Sequence, residues 1–235
     1  MSTVLVINLE RSPGRWAATQ AALAGLDVER IEAVDARREP GSSRYDVRRN
    51  RTRYFAPLKP AEIACFRSHR CAWERVAALG HPALVCEDDV QADDDLADLL
   101  PALAQRFRGT ATAVKLYSKR SVDGRSEPLG DRRLVRSRQV PLGCVAVWMT
   151  PEAARKFLHA SRTFHEPVDV FAQRVQEHGV ATWTLDPAPV REVSARLGGT
   201  TLGGPRQALA IRLARELRRP LFRARMALLS RWHTR

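Results

Sequence analysis

Short apolar segments alternate with segments of helical periodicity over most of the chain, and this alternation constrains the fold more than any other feature. The strand candidates are residues 3–8, 28–34, 82–86, 112–117, 134–140 and 142–149. The helix candidates are residues 12–24, 59–79, 93–107, 151–160 and 168–178. Strands that alternate with helices predict an α/β fold with a mainly parallel central sheet flanked by helices. The alternation predicts a single domain over residues 1–204, followed by a tail over residues 205–235.

A polar segment interrupts the alternation between the second strand and the second helix. Residues 36–57 contain Pro40, Gly41 and many arginines, and they show no apolar periodicity. A segment of this length is either a mobile flap over a substrate or a disordered loop. The sequence leaves both interpretations open.

Positive charge is concentrated in two segments of the chain. The formal net charge is +13. Residues 206–235 contribute nine arginines and one glutamate, and residues 37–53 contribute seven arginines and two acids. The remainder is balanced, but residues 87–98 hold seven acids and no base. An acidic site beside cationic surfaces is typical of proteins that bind a metal ion and phosphorylated substrates.

Three consecutive acids, Glu87, Asp88 and Asp89, follow the apolar strand candidate at residues 82–86. Ligands of parallel α/β sheets bind outside the carboxyl ends of strands. If the backbone stays extended, Glu87 and Asp89 point to one side and Asp88 to the other, so two carboxylates could share a hard divalent cation. The alternative is a solvated turn in which Asp93 caps the next helix.

The four cysteines form no CxxC pair and lie in apolar or helical segments, which is typical of reduced thiols. A zinc site formed by Cys65, His69 and Cys71 is the alternative. We disfavour it because residues two and six apart on a helix do not share a face.

The tail has the pattern of a basic amphipathic helix, with leucines at four-residue spacing and arginines between them. The residues predicted to bind a membrane are Arg212, Arg215, Arg219, Arg223 and Trp232. The alternative is a C-terminal helix packed on the domain. The sequence contains no run of roughly 18 to 20 apolar residues that could span a membrane, and no signal peptide. We therefore expect a cytoplasmic protein associated peripherally with the inner face of the cytoplasmic membrane.

Two other classes of function fit parts of the sequence. A pI near 10.8 and clustered arginines also occur in proteins that bind nucleic acids. No RNA-binding or DNA-binding motif is present, so we expect no nucleic-acid partner. A membrane-associated protein without catalytic activity is the other alternative, and the intact acids at positions 87–89 and 169 argue against it.

Six motifs occur in a fixed order over about residues 4–195. They are VINLERSPGR (6–15), IEAVDA (31–36), KPAEIACFRSH (59–69), LVCEDD (84–89), VKL (114–116) and EPVD (166–169). In this order they resemble glycosyltransferase family 25, the lipopolysaccharide-type glycosyltransferases related to collagen galactosyltransferases. The chain differs from the family pattern at Ala64, where glycine is usual, and at residues 143–148, where a Gly-Thr and aromatic pattern is usual.

The resemblance implies a GT-A-like fold and transfer of a sugar, galactose or glucose, from a uridine diphosphate donor with inversion at the anomeric carbon. It also implies a divalent cofactor such as Mn²⁺. The expected acceptor is a saccharide, in a lipid-linked or lipopolysaccharide-type glycan of a bacterium.

Transfer of a glycosyl group requires a neutralised leaving diphosphate and a deprotonated acceptor hydroxyl. For a member of this family, Asp89 and Glu87 would hold the metal ion. Asp88 would bind the ribose or orient a water on the metal. Asp169 is the candidate general base, and its alternative is an acid favoured by a helix N-terminus.

Five further residues are candidates for binding the nucleotide sugar. Asn8, Arg11 and Arg15 lie in or after the first strand, although the two arginines could equally be surface charges. His69 is either a contact to the donor or acceptor, or a hydrogen-bonded core histidine. Lys115 lies on an apolar strand, where a buried ammonium needs a carboxylate or phosphate partner.

Overall fold

A computed structural model describes residues 2–197 together with positions 220, 222 and 224. Its strands are β1 (Thr3–Asn8), β2 (Asp27–Glu32), β3 (Ala83–Glu87), β4 (Val90–Ala92), β5 (Thr112–Lys115), β6 (Gly124–Leu129), β7 (Arg132–Ser137), β8 (Ala146–Met149), β9 (Ala181–Asp186) and β10 (Val190–Glu192). Its helices are α1 (Pro13–Ala22), α2 (Val47–Arg53), α3 (Pro60–Leu79), α4 (Leu96–Arg106), α5 (Pro151–Ala160), α6 (Val168–Ala172) and α7 (Val175–His178), followed by a 3₁₀ turn at Ser194–Leu197.

Eight of these strands form one sheet in the order β2-β1-β3-β8-β5-β9-β7-β6. Strands β2, β1, β3, β5 and β9 run in the same direction, whereas β8 and β7 run against them. Strands β4 and β10 form a separate antiparallel pair. The predicted α/β fold with a mainly parallel central sheet flanked by helices is confirmed.

Strand β1 contributes side chains to two hydrophobic cores, one on each face of the sheet. All six of its residues are buried. Leu5 and Ile7 face a core that includes residues of α3 and α5, and Val4 and Val6 face a core that includes residues of α4. Because successive side chains of a strand point to opposite faces, a strand covered on both faces is a continuous apolar run.

Local sequence signals explain both ends of α3, the longest helix in the described part of the chain. Pro60 occupies the first turn, where its missing N–H is not needed. The carboxylate of Glu62 accepts a hydrogen bond from the Lys59 amide at 2.7 Å. Gly80 ends the helix with a φ of 71°, a conformation that favours glycine. This long helix carries His69 and Cys65 towards the end of β3.

Residues 36–57 are packed against the domain. Helix α2 forms within this segment, and the side chain of Asn50 is buried and donates to the carbonyls of Ala56 at 3.0 Å and His165 at 2.8 Å. The amide of Asp46 donates to the Phe164 carbonyl at 2.8 Å. Of the two interpretations of this segment, disorder is contradicted by these contacts.

Other element predictions were incomplete. The predicted helix at residues 168–178 is divided into α6 and α7 at Arg174, whose backbone is not helical and whose side chain donates to Glu166 at 2.6 Å in a buried ion pair. Strands β4, β6, β9 and β10 were not predicted. The tail predicted at residues 205–235 lies outside the described residues except at positions 220, 222 and 224.

Candidate functional site

The candidate site lies where the parallel strands β1 and β3 end side by side. Ile7 pairs with Glu87 in the register of the two strands, so Asn8 lies next to the acids that follow β3. These strand ends bring Asn8 and Arg15 together with the acids at positions 87–89, and the predicted contacts of Asn8 and Arg15 with a nucleotide stay predictions.

Asp88 is held by polar groups from β1 and α1. One carboxylate oxygen accepts from Nδ2 of Asn8 at 2.6 Å, and the other accepts from Nε of Arg15 at 2.8 Å. The hydroxyl of Thr19 donates to the Asp88 carbonyl at 2.8 Å. The residue is only 7% exposed. Asp88 therefore fixes α1 against the end of β3, and its contact with a ribose or a metal-bound water stays a prediction.

One carboxylate oxygen of Asp89 has a hydrogen-bond partner, and the other has none. Nη2 of Arg15 donates to Oδ2 at 2.8 Å, whereas Oδ1 is buried without a hydrogen-bond partner. Oδ1 of Asn8 is also buried without a partner. The pKa of Asp89 is raised to about 6, mainly by burial and also by the charge of Glu87, while the contact with Arg15 opposes the shift.

An unpartnered buried carboxylate oxygen is energetically unfavourable, and a divalent cation is the kind of ligand that relieves it. The Asp89 carboxylate therefore fits the predicted metal ion. Glu87 is close enough for its charge to raise the Asp89 pKa.

Glu87 faces a different neighbourhood from Asp89. Its Oε1 lies 3.7 Å from Nε2 of His69 on α3, and its side chain is 35% exposed. The prediction that Glu87 and Asp89 point one way and Asp88 the other is wrong, since Arg15 contacts both aspartates. The reason is that β3 ends at Glu87 and the backbone bends at the two aspartates, so strand alternation does not continue through them.

Lys115 and Asp169 lie close enough for the charge of each to shift the pKa of the other. Lys115 is 3% exposed, and its ammonium donates to the carbonyls of Pro141, at 2.5 Å, and Gly143. Backbone carbonyls thus take the place of the carboxylate or phosphate partner that the sequence analysis expected. Desolvation lowers the Lys115 pKa, and the nearby charges of Cys144 and Asp169 oppose that shift.

Asp169 lies in the first turn of the short helix α6. Its Oδ1 accepts from the amide of Val170 at 2.9 Å. Burial raises the pKa of Asp169, and the amide of Val170 and the charge of Lys115 oppose the shift. A carboxylate whose pKa is raised by burial is a stronger base than an exposed one, which suits proton abstraction.

Two residues of the site were missed by the sequence analysis. The hydroxyl of Tyr117 donates to Oε2 of Glu192 at 2.9 Å. Burial raises the pKa of Tyr117, and the charges of Glu192, Asp89 and Glu87 raise it further. Tyr117 follows β5 and could have been found from its position at a strand end. Glu192 reaches the site through the pairing of β10 with β4, which no local pattern indicates.

A cavity of about 270 Å³ opens beyond the ends of β1 and β2. Its lining includes Arg11, Glu10, Asp35 and Arg38. Nε of Arg11 donates to Asp35 at 2.7 Å. Arg11 thus lines a polar cavity at the strand ends, and its contact with a nucleotide stays a prediction.

The acids that follow the site have arginine partners. Arg132 contacts Asp93 at 3.1 Å and Asp95 at 2.8 Å, and Arg191 contacts Asp93 at 2.7 Å. Asp95, not Asp93, precedes the first residue of α4. The carboxylates of Asp93 and Asp95 are thus paired with arginines, whereas Oδ1 of Asp89 has no partner.

The predicted membrane-binding residues, Arg212, Arg215, Arg219, Arg223 and Trp232, lie outside the described residues. Phe222 is described, and its ring lies 5.2 Å from that of Tyr54 and 5.3 Å from that of Phe55. Among the residues that the structure describes, no helix is long and apolar enough to cross a membrane.

Comparison with known proteins gives a family match over most of the chain. The model of Glycosyltransferase family 25 (LPS biosynthesis protein) matches residues 1–172, a range that contains β1 to α6. A "Glycosyltransferase 25 family member" of Anopheles gambiae is 35% identical over 100 residues, which are 39% of this chain and 17% of that protein. A protein of the same name from Aedes aegypti is 34% identical over 100 residues, which are 39% of this chain and 16% of that protein.

The aligned region is less than a fifth of the length of these two relatives. Both relatives come from insects, whereas the sequence analysis expected a bacterial protein. A bacterial source therefore stays a prediction.

Proposed function

The chain belongs to glycosyltransferase family 25, and from this premise we propose that it transfers a hexose from a uridine diphosphate sugar to a saccharide acceptor with inversion. In this reaction the acceptor oxygen bonds to the anomeric carbon while the bond from that carbon to the diphosphate breaks. The proposed donor sugar is galactose or glucose. The proposed cofactor is a divalent cation, with Mn²⁺ as the first choice.

The unpartnered Oδ1 of Asp89 carries this proposal. Asp89, with Glu87 two residues earlier at the end of β3, would hold the cation, which supplies positive charge for the leaving diphosphate. The cavity beside Arg11 lies at the ends of β1 and β2, where a parallel sheet accommodates a nucleotide. In this arrangement the nucleoside enters next to Arg11, and the diphosphate extends towards Asp89.

Asp169 is the proposed general base. It accepts the proton of the acceptor hydroxyl as the oxygen attacks the anomeric carbon. Lys115 lies close enough for its charge to lower the pKa of Asp169. The Lys115 ammonium also binds the carbonyls of Pro141 and Gly143. We propose that it thereby positions the loop at residues 141–143 beside the base.

In this proposal the donor site is held in place by Asn8, Arg15 and Asp88. Arg15 bridges the two aspartates, so it fixes the carboxylate that meets the cation. His69 remains a proposed contact to the donor or acceptor, since its Nε2 is buried without a hydrogen-bond partner. These residues position the donor and do not take part in proton transfer.

The proposed acceptor is a lipid-linked or lipopolysaccharide-type glycan at the cytoplasmic face of a membrane. The nine arginines of residues 206–235 support this part of the proposal, since each basic residue near an anionic leaflet contributes on the order of 1 kcal/mol to binding. Sedimentation with anionic liposomes tests it, by comparing the full chain with a chain that ends at Gly204. Equal sedimentation of the two chains would argue against a membrane-binding tail.

A panel of nucleotide sugars tests the transfer reaction. Release of nucleoside diphosphate is measured with Mn²⁺ or with a chelator, and with or without a lipid-linked oligosaccharide. We expect release that requires Mn²⁺, the acceptor and one class of donor. Tight binding of nucleic acid without turnover of any donor would contradict the proposal.

A further inference from the structure

Three side chains of different chemistry converge at the junction of α3 and β3. They are Cys65 and His69 on the helix and Glu87 at the end of the strand, and their ligand atoms all lie within 4.8 Å of one another. Cys65 and His69 are four residues apart, so they share one face of the helix. Glu87 then faces both of them from the sheet.

One nitrogen of His69 in this cluster has no hydrogen-bond partner. The residue is 2% exposed, and its Nε2 is buried without a hydrogen-bond partner. The nearest acidic atom is Oε1 of Glu87, at 3.7 Å, which is too long for a hydrogen bond. Two ligands of one tetrahedral ion, bonded at about 2.0 to 2.3 Å, lie roughly this far apart.

We propose that Cys65, His69 and Glu87 form a binding site for a borderline-soft divalent cation, with Zn²⁺ as the ion that this set of ligands fits best. Sulfur and imidazole ligands favour Zn²⁺ over Mn²⁺, which prefers oxygen. Three protein ligands leave a fourth position for water or a substrate oxygen. This site shares Glu87 and His69 with the proposed donor site, but its test measures ion binding through Cys65 and so can fail or succeed apart from the transfer reaction.

Ion binding requires the thiolate form of Cys65. Cys65 is partly buried against the core, and desolvation holds the pKa of its thiol well above the ordinary range. The cation therefore displaces the thiol proton, which passes to solvent, and the sulfur forms a bond to the metal. Each bound ion thus releases one proton from this cysteine.

The structure also revises the zinc site that the sequence analysis disfavoured. Cys71 is exposed and is not part of the cluster, so the argument against pairing it with Cys65 holds. The third ligand comes instead from Glu87, eighteen positions beyond His69 in the chain. Only the packing of α3 against the end of β3 brings the three groups together.

Titration of the full chain with Co²⁺ tests this site, since a thiolate bound to Co²⁺ gives charge-transfer absorption in the near ultraviolet. We expect this absorption in the wild type, and we expect Zn²⁺ to displace it. Cys65→Ser should abolish the absorption, whereas the matched control Cys71→Ser should retain it. Glu87→Gln should weaken Co²⁺ affinity at least about tenfold, and because Glu87 is partly exposed this variant is expected to fold.

Several results would overturn the proposal. The proposal fails if the wild type gives no charge-transfer absorption, or if the absorption persists in Cys65→Ser or is lost in Cys71→Ser. It also fails if Glu87→Gln binds Co²⁺ with unchanged affinity. Circular dichroism of each metal-free variant verifies folding. If Cys65→Ser does not fold, Glu87→Gln and Cys71→Ser decide the question.

Discussion

Asp88 and Asp89 are neighbours in the sequence, but their surroundings differ. Asp88 accepts hydrogen bonds on both carboxylate oxygens, from Asn8 and Arg15. Asp89 shares Arg15 but keeps Oδ1 buried and unpartnered. The comparison teaches that a run of acids is not a set of equivalent ligands. The acid whose hydrogen bonds are complete supports the fold, and the acid with an open oxygen is available for a cation.

Replacing Asp169 with asparagine extends the comparison to the proposed base. We expect Asp169→Asn to lower turnover by about a hundredfold or more, because the amide cannot accept the acceptor proton. Donor affinity should change little, as measured by calorimetry with the donor and Mn²⁺. The control is Asp94→Asn, at an exposed acid of the run at residues 87–98. A fall in donor affinity as large as the fall in turnover would assign Asp169 to the donor site.

Replacing Arg15 with glutamine tests the support of the two aspartates. We expect Arg15→Gln to lower the free energy of unfolding by about 2 kcal/mol or more. The reason is that it leaves the nearly buried carboxylates of Asp88 and Asp89 without the guanidinium that contacts both. Urea denaturation at pH 7 measures the change. Arg138→Gln, at an exposed arginine, is the matched control. Equal stability of Arg15→Gln and the wild type would show that the bridge is not structural.

The pH dependence of metal binding separates Asp89 from a fully solvated acid. Since burial raises its pKa to about 6, protons compete with the cation below this pH. We expect Mn²⁺ affinity, measured without nucleotide, to be constant above about pH 7. Below about pH 6 it should fall roughly tenfold per pH unit. A decrease that begins only near pH 4 would contradict the environment assigned to Asp89.

The smallest expected effect is a gain of stability in Asp89→Asn without metal. The folded-state pKa lies above the unfolded value, so the free energy of unfolding of the wild type falls as pH rises from about 4 to about 6. Asparagine removes this penalty, partly offset by the lost contact with Arg15. We expect a gain of about 1 kcal/mol at pH 7 and no gain at pH 4, measured by thermal denaturation. A loss of stability at pH 7 would mean that the contact with Arg15 outweighs the desolvation.

Much of the fold was predictable because local patterns determine it. The apolar run of β1 and the periodic, well-capped helix α3 were recognised close to their observed bounds. The position of Glu87 at a strand end placed the acids at the sheet edge. Only β7 of the hairpin formed by β6 and β7 was predicted, because β6 is largely exposed and has no apolar alternation.

The details of the site depend on contacts between residues distant in the sequence. Arg15 was expected at a nucleotide, but it contacts aspartates more than seventy positions away. The bend after Glu87 places Asp88 and Asp89 together on Arg15, which strand alternation did not predict, and Glu192 reaches the site through the pairing of β10 with β4. Spacing along the chain gives the residue types at a strand end. It does not give their directions or partners.

The most direct test of which aspartate holds the cation is a calorimetric titration. Uridine diphosphate with Mn²⁺ is titrated into Asp88→Asn and into Asp89→Asn. The central claim predicts that Asp89→Asn loses Mn²⁺-dependent binding, since the amide lacks the charge that the cation needs. Asp88→Asn keeps an oxygen that can accept from Arg15, so its affinity should stay within about tenfold of the wild type. Unchanged Mn²⁺-dependent affinity in a folded Asp89→Asn protein, or its loss in Asp88→Asn alone, would contradict the account.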